Sequence, residues 1–215
     1  METQAEKTTA SHSGAALGAY SAATLHEAMG KTGFLPSGIK PISPGRKVCG
    51  PAYTVSTMPR DNVLLHRAYA YAQPGDVLVA YCSGFYEAGY WGDLMSLGAK
   101  TKGLAGLVID GCVRDANDIE AMGFPVFSRG LCVQGTSNHG DGTLNEPIFI
   151  GGQLVAPGDI IVGDRDGVVV VPQGRIAEVL EAAAAREAKE EAVRVQLRLG
   201  RTSLEIYGWD KKFGY

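Results

Sequence analysis

Short apolar runs alternate with amphipathic segments up to about residue 130. The runs at 77–80, 106–109 and 125–127 are almost wholly apolar, which is typical of strands buried on both faces of a sheet. A fourth strand is predicted at 48–57. Helices are predicted to fill the intervals, starting at Asp61–Asn62, at Asp93 and at Asp115. This β-α-β-α-β order predicts an α/β fold with a mainly parallel central layer.

The pattern changes after a loop at 135–145. Four short apolar runs predict consecutive strands joined by tight turns, with a hairpin turn at 164–167 before the last: 148–150, 153–155, 160–162 and 168–171. From Gln173 to Leu199 the chain is rich in Ala, Glu and Arg, which predicts a helix of about 25 residues, nearly 40 Å long. A helix of this length on a small body is expected to reach a neighbouring subunit.

Composition narrows the class of protein. With 215 residues, the chain is long enough to bury one sizeable core. Its 29 glycines exceed the usual share of about 7%, which favours a turn-rich α/β fold over a helical bundle. The formal net charge of −3 gives no reason to expect nucleic acid or an anionic membrane as partner. A small molecule is therefore the expected partner.

The chain is predicted to hold one catalytic α/β domain at 21–172. A flexible arm is predicted at 1–20, and a helix and tail that contact a neighbouring subunit are predicted at 173–215. Thr24 is expected to cap a short first helix, Leu25–Met29. The first residues lack an apolar stretch, so we expect no signal peptide, and no run approaches the roughly 20 apolar residues that cross a bilayer. A cytoplasmic protein with four reduced cysteines is expected.

Gly92–Met95 and the pair Arg114–Asp115 form the most informative constellation. Gly92–Asp93 opens a predicted helix, whose free amides near Leu94 and Met95 could bind a carboxylate or phosphate. Arg114 and Asp115 follow a buried strand, where ligands of α/β sheets gather. The set suits a small 2-oxo acid on a divalent metal ion, Mg²⁺ or Mn²⁺: Asp115 binds the metal, Arg114 meets substrate oxygens, and Asp93 orients a water acting as acid and base. The metal would then stabilise a developing enolate.

Simpler interpretations stay open from the spacing alone. Asp93 could be only a helix cap, and Arg114–Asp115 an ordinary exposed pair. Asp110 is interpreted as a turn residue, and His66 as a surface residue in its helix. His139 lies in a polar loop and could act from there.

The last helix carries the acidic residues Glu187, Glu190 and Glu191, interleaved with basic ones. They are interpreted mainly as a solvated, salt-bridged face. One of them could still serve a neighbour's metal ion through water.

Together the motifs resemble a known family, the class II pyruvate aldolases that act on 4-hydroxy-4-methyl-2-oxoglutarate and 4-carboxy-4-hydroxy-2-oxoadipate. The resemblance extends from about Thr24 to Gly208. It is carried by the following segments: 24–28, 92–95, 106–115, 121–126, 134–136, 166–172 and 185–190. It implies an α-β-β-α layered domain, similar to the swivelling phosphohistidine domain, with a long C-terminal helix. It also implies homotrimers or homohexamers with active sites between subunits.

Carried over residue by residue, the resemblance implies that Gly92–Met95 and Arg114 bind the pyruvate moiety, and that Asp115 binds Mg²⁺ or Mn²⁺. Asp93 would hold the water used as acid and base. Glu190 would reach a metal ion through water from the adjacent subunit, although Glu191 is an alternative by one position. The family also decarboxylates oxaloacetate and serves the catabolism of aromatic compounds.

The same fold occurs in a non-catalytic protein, the regulator of ribonuclease E activity A. That regulator lacks the Gly-Asp pair and has an amide in place of the second acid, whereas this chain keeps Asp93 and Asp115. The long helix also favours the enzyme. The segment 85–91 is unusually aromatic where substrate would enter, which favours a different aldol acceptor.

Overall fold

A computed structural model describes residues 14–214. The strands of its main sheet are β1 Lys40–Pro41, β2 Val48–Thr57, β3 Val77–Tyr81, β4 Gly106–Asp110, β6 Val126–Ser128, β8 Gly142–Leu144, β11 Ile160–Asp164 and β12 Gly167–Val171. The parallel layer predicted from the apolar runs is present: β2, β3, β4 and β6 pair in parallel in the order β6-β4-β3-β2. Strands β11 and β12 extend this sheet in antiparallel fashion beyond β2.

The sheet curls until its two ends come close together. Strand β1 pairs with β6 at one end and lies beside β11 and β12, which form the other end. The Lys40 ammonium donates to the carbonyl of Asp166 in the predicted hairpin turn, which helps to hold the ends together. Two small pairs lie outside this sheet: β5 Cys112–Val113 with β7 Gly130–Leu131, and β9 Ile148–Ile150 with β10 Gln153–Val155.

Three apolar clusters separate four layers of structure. Alternate residues of each strand point to opposite faces, so Leu78 of β3 packs under the helices while Val79 faces the inside of the curled sheet. Ile161 of β11 belongs to the same inner cluster, whereas Val162 faces the helices on the opposite outer face. The resulting order of layers, α-β-β-α, is the architecture that the family resemblance implied.

The helices cover the two outer faces. On one face lie α2 Val63–Tyr71, α3 Asp93–Thr101 and α4 Ala116–Met122; on the other lie α1 Ala22–Ala28 and α5 Ile176–Arg198. The prediction that Thr24 caps the first helix is wrong. Ser21 is the N-cap, because its hydroxyl accepts the Thr24 amide three residues later.

The long C-terminal helix α5 is present as predicted, preceded by a 3₁₀ turn, Gln173–Arg175. Only its first half is anchored in the core, through Ile176, Val179 and Ala183. Two short helices follow, α6 Ser203–Tyr207 and α7 Trp209–Phe213. Within residues 14–214, none of the helices is long and apolar enough to span a bilayer.

The arm predicted at 1–20 lies for the most part outside the described residues. Its last part is ordered in the structure: Leu17, in a 3₁₀ turn at Leu17–Ala19, is completely buried and packs in the outer cluster beside α1.

Candidate active site

Two segments meet where the parallel strands β3 and β4 end. The Tyr90 amide donates to the Cys112 carbonyl over 3.0 Å, and the Arg114 amide donates to the Trp91 carbonyl over 2.9 Å. These hydrogen bonds fasten the segment before α3 to the segment after β4. The two motifs that the sequence paired are therefore neighbours at the carboxyl edge of the sheet, where such sheets bind ligands.

The start of α3 carries amide groups that the helix itself does not use. Gly92 is the N-cap, with an extended backbone (φ −138°, ψ −168°), and no side chain caps this end. The interpretation of Asp93 as only a helix cap is therefore wrong, since Asp93 is the first helical residue. The first-turn amides lack intrahelical partners and carry the positive end of the helix dipole. Leu94 is 77% exposed and Met95 is buried.

Asp115 stands directly against this helix start. Its backbone is left-handed (φ 61°, ψ 38°), a conformation that Asp and Asn tolerate better than most residues. Its Oδ2 atom is 3.4 Å from the Asp93 amide nitrogen and 3.5 Å from Arg114 Nε. A β-carbon at position 92 would collide with the same oxygen. Glycine at 92 therefore allows the carboxylate to approach the helix.

Asp115 is well suited to hold a divalent cation. Its two contacts are longer than the 2.7–2.9 Å typical of charge-assisted hydrogen bonds, so its lone pairs remain available. Within residues 14–214, no three His, Cys, Asp or Glu side chains gather into a complete ligand set. Mg²⁺ usually needs only one or two carboxylates, with waters and substrate oxygens completing its shell. Asp115, with Asp93 adjacent, fits Mg²⁺ or Mn²⁺ held in this way.

An open cavity of about 600 Å³ adjoins Arg114 and Asp115. Its other walls are the first turn of α4, at 116–118, and the segment 131–133, which begins at the last residue of β7. The Arg114 and Asp115 side chains are 49% and 35% exposed, so both can reach a ligand. The cavity is large enough for a small organic acid.

A buried relay that the sequence analysis missed supports the helix start. Trp91 Nε1 donates to the Ser96 hydroxyl over 2.7 Å, and that hydroxyl donates to the Gly92 carbonyl over 2.9 Å. All of these atoms belong to buried residues. The available signal was Trp91 itself, because a buried indole N–H needs an acceptor.

Tyr90 fixes the same segment from the other side. Its hydroxyl accepts the Arg60 amide over 2.9 Å and donates to the Phe85 carbonyl over 3.1 Å. Burial raises the pKa of Tyr90 to about 12, although the Arg60 amide acts in the opposite direction. The phenol is therefore protonated at neutral pH and acts as a structural link.

Asp110 is not the turn residue that the sequence suggested. It ends β4, is only 2% exposed, and its Oδ1 accepts Arg129 Nε over 2.5 Å. The Arg129 guanidinium also lies 5.0 Å from the centre of the Tyr86 ring. A buried carboxylate requires such a partner, and that requirement was the signal that the sequence interpretation overlooked.

Asp61 was missed as a second buried acid. It is 1% exposed and accepts the amides of Val63, His139 and Gly140. Burial raises the pKa of Asp61, but these three donors outweigh it and hold the pKa below its ordinary value. The carboxylate thereby connects the loop that contains His139 and Gly140 to the start of α2.

The histidines and cysteines take minor parts. His66 is exposed, in keeping with its predicted surface position, and packs near the Tyr69 ring. His139 is also exposed. Its backbone amide, rather than its imidazole, donates to the Asp61 carboxylate. All four cysteines are free thiols. Burial raises the pKa of Cys82 and of Cys112, which keeps these two protonated and unreactive.

Comparison with known proteins identifies the family of this chain. The family model described as "RraA-like: Aldolase/RraA" matches residues 22–170. The chain belongs to the RraA-like family. This match covers both motifs of the candidate site and the sheet, up to the next-to-last residue of β12.

RraA-like relatives carry two kinds of name. A Halalkalibacterium halodurans protein, provisionally named 4-hydroxy-4-methyl-2-oxoglutarate aldolase, is 42% identical over 158 residues, which is 74% of this chain and 75% of that protein. An uncharacterized Pseudomonas syringae protein of known structure has a TM-score of 0.81 and 33% identity over 89% of this chain and 90% of its own. Streptomyces coelicolor RraAS2, described as an unusual member of the RNase ES inhibitor RraA protein family, has a TM-score of 0.76 and 33% identity, covering 85% of this chain and 96% of its own.

Arg114 and Asp115 line the cavity, and Gly92 and Asp93 adjoin Asp115 at the start of α3, whereas Glu190 lies apart from both in this RraA-like chain. It lies on α5, where its carboxylate pairs with Arg186 at 2.9 Å and Arg194 at 3.0 Å. Glu191 pairs with Arg194 at 3.3 Å and with Arg198 at 2.9 Å. The salt-bridged face predicted for this helix is present. A role for Glu190 at an adjacent subunit's metal ion stays a prediction.

Proposed function

We propose that this chain is a divalent-metal-dependent pyruvate aldolase. It would cleave a 4-hydroxy-2-oxo acid to pyruvate and a second carbonyl compound, and would also decarboxylate oxaloacetate. The observation that carries the proposal is the position of the Asp115 carboxylate, which adjoins both the start of α3 and Arg114 at one cavity. A relative named as an aldolase, 42% identical, supports this chemistry.

The helix start and Arg114 would bind the pyruvate end of the substrate. Amides at the start of α3 donate to its carboxylate, which the helix dipole also favours. The planar guanidinium of Arg114 donates to the carboxylate or to the adjacent oxo group, since its fork can meet two oxygens at once. Negative charge that develops on the oxo oxygen during cleavage then lies beside a fixed cation.

Asp115 would hold Mg²⁺ or Mn²⁺ with the help of water and substrate oxygens. When bound, such an ion supplies Lewis acidity that polarises the 2-oxo group. The left-handed backbone at Asp115 and the missing side chain at Gly92 fix the carboxylate at this point.

Asp93 would act as the general base and acid, through an ordered water. Retro-aldol cleavage removes the proton of the 4-hydroxyl group, breaks the C3–C4 bond and later returns a proton to C3. A carboxylate at the first turn of α3, next to the bound oxo acid, can accept the first proton through water and return it. Decarboxylation of oxaloacetate needs only the second of these transfers.

A second function remains supported by one observation. The structure resembles that of RraAS2, a member of an RNase inhibitor family, over 85% of this chain. The same fold can host a protein-binding regulator. The carboxylates at positions 93 and 115, together with the open cavity, favour the enzyme.

The test is pyruvate release from oxaloacetate and from 4-hydroxy-4-methyl-2-oxoglutarate, with Mg²⁺ or Mn²⁺ and after EDTA. The metal's own decarboxylation of oxaloacetate is subtracted. We expect release that EDTA abolishes and that Asp115→Asn lowers by at least about 10³-fold, because Asn tolerates the left-handed backbone but loses the charge. Asp141→Asn, in an exposed loop, serves as the control with unchanged activity. If neither compound released pyruvate, the aldolase proposal would fail and the second function, a protein-binding RNase regulator, would be favoured.

A further inference from the structure

The proposed function gives partners to only one end of the substrate. The amides at the start of α3, the Arg114 guanidinium and the divalent cation at Asp115 all serve the pyruvate half, with its carboxylate and its 2-oxo group. A compound such as 4-hydroxy-4-methyl-2-oxoglutarate carries a second carboxylate, on C4, and these groups are already occupied by the pyruvate half. The planar fork of a further arginine is well suited to bind such a carboxylate.

Arg60 has a backbone conformation that arginine seldom adopts. It lies in the loop between β2 and α2 with φ at 62°, in the left-handed region that favours glycine. Its amide donates to the Tyr90 hydroxyl over 2.9 Å, and its carbonyl accepts the Ser137 amide over 2.5 Å and the Ser137 hydroxyl over 2.9 Å. Residues that their surroundings hold in such conformations cluster at functional sites. An exposed arginine at this point therefore indicates a use for its side chain.

The loop that carries Arg60 lies against the start of α3. Asn62, two residues later, donates through its side-chain amide to the Tyr90 carbonyl over 3.1 Å. The same amide nitrogen lies 3.9 Å from the sulfur of Met95, in the first turn of α3. The loop therefore adjoins the helix start that would bind the substrate carboxylate.

A short series of contacts joins the Arg60 side chain to Arg114. Gln134, the first residue after the apolar cavity wall, accepts Arg60 Nη2 over 3.1 Å when its amide is oriented so that its nitrogen donates to the Glu87 carbonyl over 2.8 Å. The main-chain carbonyl of Gln134 accepts the Gly89 amide over 2.8 Å. A β-carbon at Gly89 would lie 3.1 Å from Arg114 Cβ. The Arg60 guanidinium is thus held beside the cavity, near Arg114.

The charge of Arg60 is available to a ligand. Among the ion pairs of residues 14–214, none includes Arg60. Gln134 is a neutral acceptor for one of its N–H groups, so the guanidinium can still donate two parallel hydrogen bonds to a carboxylate. Arg129, by contrast, is already paired with the buried Asp110 at 2.5 Å.

We propose that Arg60 binds the carboxylate on C4 and thereby selects dicarboxylic 4-hydroxy-2-oxo acids. This rests on the proposed aldolase function and names the residue that recognises the far end of its substrate. With Arg114 and the α3 amides at one end and Arg60 at the other, both ends of the substrate are fixed. The C3–C4 bond is then held in one position beside the water of Asp93, which favours its cleavage.

A matched pair of substrates tests the proposal. 4-Hydroxy-2-oxoglutarate carries a carboxylate on C4 and gives pyruvate and glyoxylate, whereas 4-hydroxy-2-oxopentanoate carries a methyl group there and gives pyruvate and acetaldehyde. We expect kcat/KM of the wild type to favour the carboxylate compound by at least about tenfold, chiefly through KM, because a site built to hydrogen-bond a polar group rejects an analogue that lacks it. Equal values, or a preference for the methyl compound, would overturn the proposal.

Variants at position 60 give an independent readout. Arg60→Gly removes the side chain without straining the backbone, because glycine adopts the left-handed conformation readily. It should lower kcat/KM for the carboxylate compound by about 10²-fold, mostly by raising KM, and reduce the preference over the methyl compound by at least about tenfold. Arg60→Lys keeps the charge but not the planar fork, so its preference should lie between those of the wild type and Arg60→Gly.

Lys31→Gly is the matched control. Lys31 is also an exposed cation with a left-handed backbone, at φ 66°, but it follows α1 on the opposite outer face of the fold. The ratio of the two kcat/KM values should therefore stay as in the wild type. The same ratio in Arg60→Gly as in the wild type would show that Arg60 does not contact the C4 carboxylate.

Oxaloacetate separates failure of this proposal from failure of the proposed function. If oxaloacetate and the aldol substrates release pyruvate in a metal-dependent way but Arg60→Gly leaves the ratio unchanged, the aldolase chemistry stands and only the role of Arg60 is refuted. If pyruvate appears from none of the three compounds, the proposed function fails, and the role of Arg60 fails with it.

Discussion

Gly92 lies against the carboxylate of Asp115, with no room between them for a side chain. The backbone of Gly92 is extended, so any residue could adopt its conformation. The restriction therefore comes from the contact alone. This contact links the start of α3 to Asp115, the predicted metal ligand, and a single added methyl group at position 92 would disturb it.

Gly92→Ala is expected to lower activity by about 10²-fold while leaving the fold intact. The added methyl group would displace the Asp115 carboxylate by about 1 Å, and misplacement of that size commonly costs about 10²-fold in rate. The measurement is kcat/KM for oxaloacetate, together with the melting temperature. Gly174→Ala is the control, because nothing lies within 4 Å of a β-carbon there. Activity close to wild type in Gly92→Ala would contradict the placement of Asp115 in the site.

Arg114→Lys should show whether the planar fork matters or only its charge. Lysine keeps the positive charge but cannot donate two parallel hydrogen bonds to one carboxylate. We expect a loss in kcat/KM of about 10²-fold, and a similar or larger loss in Arg114→Ala. Steady-state kinetics on both variants would measure it, and equal activity of the lysine variant and the wild type would mean that charge alone suffices.

Ser96→Ala is expected to lower stability by about 1–3 kcal/mol, because it leaves the buried Trp91 N–H without an acceptor. Urea denaturation followed by tryptophan fluorescence would give the change in free energy of unfolding. Ser37→Ala, at an exposed position, is the control. A loss below about 0.5 kcal/mol would indicate that the indole finds another partner.

Asp61 should make stability depend on acid pH. Its pKa is lower in the folded chain than its ordinary value, so its contribution is fully present above the unfolded pKa of about 3.9 and is lost as pH falls through the folded pKa. Asp61→Asn should cost about 2 kcal/mol at pH 7, because three backbone amides lose a charged acceptor. The measurement is the urea midpoint of both proteins between pH 7 and pH 3. The difference between them should shrink below pH 4; a constant difference would contradict the prediction.

The sequence predicted the elements whose signals are local. The apolar runs that became β3 and β4 are bounded by turn residues, and the helix start at Asp93 follows a glycine that serves as its N-cap. Strands of two residues, such as β5 and β7, carry no period that a sequence can display. They form because each of the two segments supplies hydrogen-bond partners to the other once the fold brings them together.

For the candidate site, the sequence predicted best the contacts between residues that are close together along the chain. Arg114 and Asp115 are adjacent in sequence, and their position after a buried strand pointed to the carboxyl edge of the sheet. Asp61 was missed because its partners His139 and Gly140 lie 78 and 79 residues away. Asp110 was misinterpreted for the same reason, since only the fold shows that Arg129 meets it.

The pairing of β2 has a consequence for how the chain acquires its structure. One edge of β2 pairs with β3, but the other pairs with β11, with Val48 opposite Gly163. Val48 and Gly163 are 115 residues apart in the chain, so the ribosome must release all of that stretch before β11 is available to pair with β2. Such distant pairing slows folding. Until β11 arrives, the nascent chain exposes the apolar strands β2, β3 and β4, and this interval is when it is most prone to aggregate.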